Sequence, residues 1–122
     1  MRCSSVHNFR KLRVWQIARE LGSEIYVICA KTSRPDARLI TSQLRRSSLS
    51  ISTNIAEGCG KNSRAETLRY FEIAGGSAAE TEHHLVVAME TGVLESGHGE
   101  ELLTRLTSVR RMLQKLIVRL PR

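Results

Sequence analysis

Residues Ser42 to Gly58, SQLRRSSLSISTNIAEG, decide how this chain folds. Placed at about 100° steps and extended one turn back, they put Ile40, Leu44, Ser47, Ser48, Ile51, Asn54 and Ile55 on one face, with Arg45 and Arg46 outside it. This is an amphipathic helix whose apolar stripe narrows to serine in the middle. Small side chains there leave room for another backbone, and Ala74-Gly75-Gly76-Ser77-Ala78-Ala79 supplies a second thin patch. The expectation is that the two patches meet. Adjacent glycines inside a helix cost about 1 kcal/mol each relative to alanine, and close helix approach would offset that cost.

Outward from this stretch, the remaining residues divide into three more helices. From about Arg10 to Thr32, apolar side chains recur at Val14, Ile17, Ala18, Leu21, Ile25, Ile28 and Cys29, the i, i+3, i+4, i+7 pattern of one buried stripe. Ser33-Arg34-Pro35-Asp36 breaks that helix, because the residue before proline avoids the α region. The second helix starts at about Asp36 or Ala37, and Gly58 and Gly60 are expected as left-handed caps at its end. Ser63-x-x-Glu66 is a capping box that opens the third helix. Its stripe is assigned to Leu68, Phe71, Gly75, Ala78, Ala79, Glu82, Val86 and Met89, with a stop near Gly92. A loop containing Gly97, His98 and Gly99 leads to a fourth helix with Leu102, Leu106, Val109, Leu113, Leu116, Ile117 and Leu120 inside.

Four long helices joined by short turns predict an all-α protein, an antiparallel up-down-up-down four-helix bundle. Residues 1–8 are polar and expected as a flexible N-terminus; residues 9–122 form a single domain. A chain of 122 residues can bury about 65% of its unfolded surface in one core, whereas two domains would be starved. With the turn between helices two and three centred near Gly60, Ser47 falls level with about Ile73 and Ser48 with about Glu72, which leaves Ala74 and Gly75 a residue or two away.

The chain is basic, with 19 Lys+Arg against 12 Asp+Glu, and the charge is blocked along it. Residues 1–64 carry +8, residues 65–101 carry −7 and residues 102–122 carry +6. Two basic blocks flanking an acidic one fit a polyanion-binding surface, or self-association in which acidic and basic faces meet. Cys3, Cys29 and Cys59 are odd in number and lack metal-ligand spacing, so neither a disulfide framework nor a zinc site is encoded. A reduced cytoplasm suits that cysteine usage. No signal peptide or run of about eighteen apolar residues is present, so no membrane association is expected.

Little in the chain suggests catalysis. Glu80-Thr81-Glu82-His83 has the E-x-x-H spacing of di-iron bundles, but the only other copy, Glu95-Ser96-Gly97-His98, falls in the expected loop. Glu82, assigned to the apolar stripe, is expected to pair with Arg38. His83 and His84 point about 100° apart, which is poor for a shared ligand. No nucleophile motif, P-loop or dinucleotide fingerprint appears, and a helix cap explains the glycines of Gly58-Cys59-Gly60-Lys61. Asn54 and Glu57 are expected to clamp the end of helix two to the first turns of helices one and three. No catalytic residue, metal or cofactor is assigned.

Other residues point outward. Arg10, Lys11 and Arg13, Arg45 and Arg46, and Arg110, Arg111, Lys115 and Arg119 are the candidates for nucleic-acid contact, since guanidinium groups match phosphate through paired donors. A salt-bridged face is the plainer alternative, with Glu20 and Glu24 level with Arg45 and Arg46. Few exposed aromatics accompany these cations, which favours sequence-tolerant backbone binding over base stacking. Trp15, Arg19, Gly22 and Tyr26 form a second stripe on helix one, and Leu49 projects opposite the core face of helix two. Together these five are the candidate interface of a homo-oligomer.

Three ordered segments, FRKLRVWQIARELGSEIY, SQLRRSSLSISTNIAEG and RYFEIAGGSAAETE, resemble the bacterial four-helix-bundle family that includes proteins encoded within intervening sequences of large-subunit (23S) ribosomal RNA genes. The resemblance covers nearly the whole chain. It implies a four-helix bundle assembled as a ring-like homopentamer. That family is similar in architecture to the accessory variability proteins of diversity-generating retroelements, which implies RNA or DNA and a reverse transcriptase as candidate partners. Many relatives carry proline where Ser52 stands and alanine where Ser47 stands, so a straighter helix two with a more polar middle is expected. The combined expectation is a non-enzymatic, cytoplasmic, oligomeric bundle that binds RNA or DNA backbone through its Arg/Lys clusters. The alternative is a structural or protein-interaction module whose charged blocks satisfy each other between subunits.

Overall fold

The computed structural model describes residues 8–121, so residues 1–7 of the expected flexible N-terminus, with Cys3, lie outside the described part. Four helices follow in order: α1 (Arg13–Ala30), α2 (Arg38–Cys59), α3 (Arg64–Glu90) and α4 (Ser96–Val118). Single 3-10 turns at Phe9–Lys11 and Pro35–Ala37 precede α1 and α2. Sequential helices pack together and α4 closes back on α1. Every neighbouring pair is antiparallel. Gly22 meets Ser48 while Tyr26 meets Arg45; Thr67 meets Gly58 while Thr81 meets Ser47; Gly99 meets Met89 while Arg110 meets Glu82.

The helix ends follow local chemistry. Arg34 is extended at ψ 121° before Pro35, as a pre-proline residue must be. Ser63 Oγ accepts from Glu66 N at 3.2 Å and starts α3. Two expectations at glycines are corrected. Gly58 belongs to the last turn of α2 and Gly60 has φ −87°, so neither is a left-handed cap. The segment Gly97–Gly99 is helical, because Glu95 caps α4: its carboxylate accepts from Gly97 N at 2.8 Å and His98 N at 3.1 Å. Those amides hold the Glu95 carboxyl below the usual range. The left-handed glycine is Gly92, at φ 75° just past α3.

The closest packing lies between α2 and α3, along a face built from Ser, Thr, Ala and Gly. Gly58 leaves space for Phe71, whose ring would come within 2.8 Å of any Cβ placed there. Thr67 Oγ1 donates to the Gly58 carbonyl at 3.0 Å. Further along, Ser77 Oγ lies 2.9 Å from Ser50 Oγ and Thr81 Oγ1 lies 3.0 Å from Ser47 Oγ. Ser47, Thr67 and Thr81 are wholly buried, and a buried hydroxyl without a partner costs about 1–3 kcal/mol. A hydroxyl has one proton to donate. Thr81 therefore donates to Ser77 O (2.8 Å) while accepting from Ser47, or donates to Ser47 while Ser47 donates to Leu44 O (3.4 Å). Either arrangement satisfies the pair.

The thin patches therefore meet, but not through the glycines expected to do it. Ser47 stands opposite Thr81 rather than Ile73, a shift of about two helical turns. Centring the turn on Gly60–Ser63 rather than on Gly60 accounts for about three residues of that shift, and Phe71 seated on Gly58 sets the rotation of α3. Rotation explains the second correction. The buried face of α3 is Thr67, Phe71, Ala74, Ser77, Ala78, Thr81, Leu85 and Ala88, one residue away from the stripe assigned by apolarity. Ala79, Glu82 and Val86 face out. Gly75 is half-buried toward α4, where Leu113 Cδ2 would lie 3.9 Å from a Cβ, and nothing lies within 4 Å of one at Gly76. Ser48 faces α1, with its carbonyl 3.3 Å from where a Gly22 Cβ would be.

Apolar side chains fill the rest of the interior. Leu21 and Ile25 of α1, Ile51 and Ile55 of α2, and Leu102, Leu106 and Val109 of α4 are essentially inaccessible. Ion pairs finish the seams at the surface: Arg46 of α2 with Glu80 of α3, and Arg110 of α4 with Glu82. Glu82 is thus an exposed partner of Arg110 rather than a core carboxylate paired with Arg38.

Two glycine substitutions should move stability in opposite directions. Gly58→Ala drives a methyl into the fixed Phe71 ring and should cost about 1–3 kcal/mol. Gly76→Ala meets open space in a helix interior and should add about 1 kcal/mol; thermal and urea denaturation of both variants checks the signs. A pH series tests the Glu80 pair. Partial desolvation raises the Glu80 carboxyl, but hydrogen bonds from Arg46 and His84 outweigh it and leave it below its ordinary 4.5. Its stabilisation is therefore present above pH 4.5 and lost as pH falls through the depressed folded value. Glu80→Gln should flatten the acid limb of the stability profile; an unchanged limb contradicts the pairing.

Candidate nucleic-acid interface

The last helix carries its acids first and its bases last. Glu100 and Glu101 lie near its start and Arg110, Arg111, Lys115 and Arg119 toward its end, an arrangement the helix dipole favours. Because α4 runs antiparallel to α1, its basic end lies beside the start of α1. Arg13, Lys115 and Arg119 rim a groove there, floored by Leu12, Val14, Met112 and Leu116, of about 190 Å³. Lys115 also borders two adjoining depressions. One, of about 300 Å³, includes Arg13, Ile17 and Arg111; the other, of about 380 Å³, includes Arg111, Val118 and Arg119. The shared residues make one continuous surface with an apolar floor and a cationic rim. No acidic side chain lines it, and none of its four cations makes an ion pair among the described residues.

The nine basic candidates thus separate into groups. Arg13, Arg111, Lys115 and Arg119 converge. Arg10 and Lys11 lie on the Phe9–Lys11 turn at the same end, tied to α1 by Gln16 Nε2 donating to Arg10 O at 2.7 Å. Arg46 and Arg110 are occupied by Glu80 and Glu82. Arg45 lies over the Tyr26 ring, 5.6 Å from its centroid, toward the opposite end of the bundle. The acidic partners expected for Arg45 and Arg46 are elsewhere: Glu24 binds Arg105 at 2.6 Å and Glu20 lies 3.6 Å from Arg19.

The candidate oligomer interface also divides. Tyr26 is 48% exposed and Leu49 38% exposed. Trp15 is half-buried, edge-on to Phe9 at 4.9 Å with Arg19 stacked at 5.7 Å. Gly22 is corrected: it is buried against Ser48 and Leu49 inside the α1–α2 contact and presents no outer surface. Sequence reasoning missed Val27, Ile73 and Val86 as exposed apolar side chains. For Val86 the signal was present but assigned to the core, because the phase of α3 was taken from apolar residues alone.

Asn54 does not clamp α2 to the first turns of α1 and α3. Its Nδ2 donates to Ser50 O at 2.8 Å and Ser50 Oγ at 2.9 Å, and so backs the Ser50–Ser77 contact. Glu57 is exposed and lies 3.9 Å from Lys61. Glu80 reaches His84 at 3.4 Å rather than His83, and His84 packs edge-on against His83. No group of three or more His, Cys, Asp and Glu among the described residues could hold a metal ion. Burial pushes the Cys59 thiol up to about 12 and raises Cys29, against a lowering by Arg45, which keeps both thiols protonated. No described helix is long and apolar enough to cross a membrane.

Comparison with solved structures finds a protein of unknown function from the S23 ribosomal protein family of Bacteroides thetaiotaomicron, with TM-score 0.79 and 25% identity over 86% of this chain and 95% of that one. No curated protein matches the chain. The family described as 23S rRNA-intervening sequence protein matches residues 10–115, which takes in α1, α2, α3 and most of α4. Apart from Phe9 at the start of the first, all three recognisable segments lie within that match, and the chain belongs to this family.

Proposed function

We propose that this protein is a non-enzymatic bundle that binds the backbone of RNA or DNA through the groove between the start of α1 and the end of α4. One observation carries this reading: Arg13, Arg111, Lys115 and Arg119 gather without acidic partners, while Arg46, Arg105 and Arg110 elsewhere are neutralised by glutamates. Unpaired cations on a rigid helical face supply the counterion-releasing contacts on which backbone binding depends. The family name adds a ribosomal RNA context to the same reading. The Leu12, Met112 and Leu116 floor seats sugar edges or a displaced base without selecting among them.

A second reading, self-association, is favoured by the exposed apolar side chains of Tyr26, Val27 and Leu49 on the outer α1–α2 surface and of Ile73 and Val86 on α3. A homo-oligomer, a pentamer in the form the family resemblance implies, would bury them and repeat the cationic groove around a ring. Repetition raises affinity for one long polyanion by effective concentration. A reverse transcriptase is the protein partner that fits the architectural likeness, and a cytoplasmic setting suits the reduced thiols.

Fluorescence anisotropy with a structured RNA, measured across salt concentrations, tests the groove. Log affinity should fall linearly with log salt, and replacing Arg111, Lys115 and Arg119 together by Ala should lower the slope by about two to three. An unchanged affinity and slope reject this surface. Light scattering on the same samples should give the mass of a multimer; a monomer at tens of micromolar removes the assembly reading and leaves the groove to stand alone.

A further inference from the structure

At the opposite end of the bundle, the α1–α2 turn borders an open cleft of about 280 Å³ lined by Cys29, Thr32, Ser33, Arg34, Arg38, Thr41 and Arg45. Three guanidinium groups therefore border one small space, and no carboxylate lines it. They are not equivalent. Arg34 is committed to Asp36, through Nε at 3.1 Å and Nη2 at 2.8 Å, and its Nη1 donates to Thr91 O at 3.2 Å. It anchors the turn to the end of α3 and brings little net charge. Arg38 and Arg45 make no ion pair among the described residues. They stand two turns apart on α2, on either side of the buried Thr41, so both reach the same space.

The hydroxyls refine what the cleft can accept. Thr41 spends its proton on Arg38 O at 3.2 Å and Thr32 on Ile28 O at 3.3 Å, whereas Ser33 has no partner among the described residues and keeps a donor free. The site thus offers two unneutralised guanidinium forks and one hydroxyl donor, against an apolar wall from Ala30 and Pro35. Arg45 is steadied from outside by the Tyr26 ring, which reduces the side-chain freedom lost on binding. Two unpaired positive charges match a group of charge about −1.5 to −2 better than the single charge of a diester. At about 30 Å³ per water the space exceeds a bare phosphate and leaves room for the carbon skeleton attached to it.

We propose that this cleft is a binding site for a phosphate monoester, gripped between Arg38 and Arg45. The site is independent of the α1–α4 groove, which lies at the other end of the bundle and shares no residue with it. The monoester has two sources, a free mononucleotide or the 5′-phosphate end of a nucleic-acid strand, and the same chemistry serves both.

Isothermal titration of the full chain with AMP, with the diester dinucleotide ApA, and with a short oligonucleotide bearing either a 5′-phosphate or a 5′-hydroxyl tests the proposal. AMP should bind saturably and ApA about tenfold or more weakly. Arg38→Ala and Arg45→Gln should each weaken AMP by about tenfold or more, the worth of one charged hydrogen bond. Arg45→Lys, which retains the charge, should be intermediate, and thermal melting identifies any variant that has lost its fold. An Arg111→Ala/Lys115→Ala variant should bind AMP as the parent does, so loss of RNA binding there leaves this site standing. Preference for the 5′-phosphorylated strand over both AMP and the 5′-hydroxyl strand assigns the site to strand ends; equal binding of AMP and that strand assigns it to the free nucleotide. Absence of saturable AMP binding, binding unaffected by both Arg38→Ala and Arg45→Gln, or AMP binding lost with Arg111 and Lys115 overturns the proposal.

Discussion

Two hydroxyl groups, Ser47 Oγ on α2 and Thr81 Oγ1 on α3, meet 3.0 Å apart where water cannot reach them, and the rest of the bundle is arranged around that meeting. Apart from Phe71 on Gly58, the tightest levels of this seam are built from Gly, Ala, Ser and Thr. Each buried hydroxyl must then find its partner within the seam or at a backbone carbonyl of its own helix. The Thr67–Gly58, Ser77–Ser50 and Thr81–Ser47 contacts lie at successive levels and fix both the register and the rotation of α3. A slide of one residue would break all three and lift Phe71 off Gly58. Apolar burial elsewhere is less demanding, because leucines and isoleucines repack more readily than a hydroxyl ladder.

Rotation of α3 in turn determines which charges are spent. Once Thr81 faces α2, Glu80 and Glu82 on either side of it point outward along the two flanking seams, where they take Arg46 and Arg110. Those pairs contribute little to stability at the surface. Their larger consequence is subtraction: they remove two arginines from the free positive surface and leave the end of α4 and the start of α1 as the exposed cationic field. Arg38 and Arg45 likewise make no ion pair among the described residues, so they too stay outside this neutralisation. The acidic central block thus edits the basic flanks rather than cancelling them evenly.

Much of this was legible in the chain. The periodicity of Val14, Ala18, Leu21 and Ile25, the break at Pro35 and the capping box at Ser63 yielded four helices and their order, and the serines of α2 correctly marked the thin seam. The partner register was not legible, since it depends on how many residues the turn uses and on Phe71 finding a glycine to rest on. Nor was the phase of α3, because Thr67, Ser77 and Thr81 count as polar in any pattern of apolar residues although all three are buried. That one misphasing misplaced Glu82, Val86 and Gly75 together. Gly22 misled for a related reason: on a wheel it belongs to an outer stripe, yet a glycine lets α2 come close enough to cover it. For the basic surface, residue types alone could not separate Arg111 and Lys115 from Arg46 and Arg110, because the distinction lies in which acids the fold brings within reach.

A double-mutant cycle across the seam tests the account most directly, using Ser47→Ala, Thr81→Val and the two combined, with unfolding free energies from urea titration. If the two hydroxyls satisfy each other, each single change should cost about 1 kcal/mol, and the double variant should lose less than the sum by about 0.5 kcal/mol or more. Strict additivity, within about 0.3 kcal/mol, would mean that Ser47 and Thr81 do not interact and that something other than this contact sets the register of the bundle.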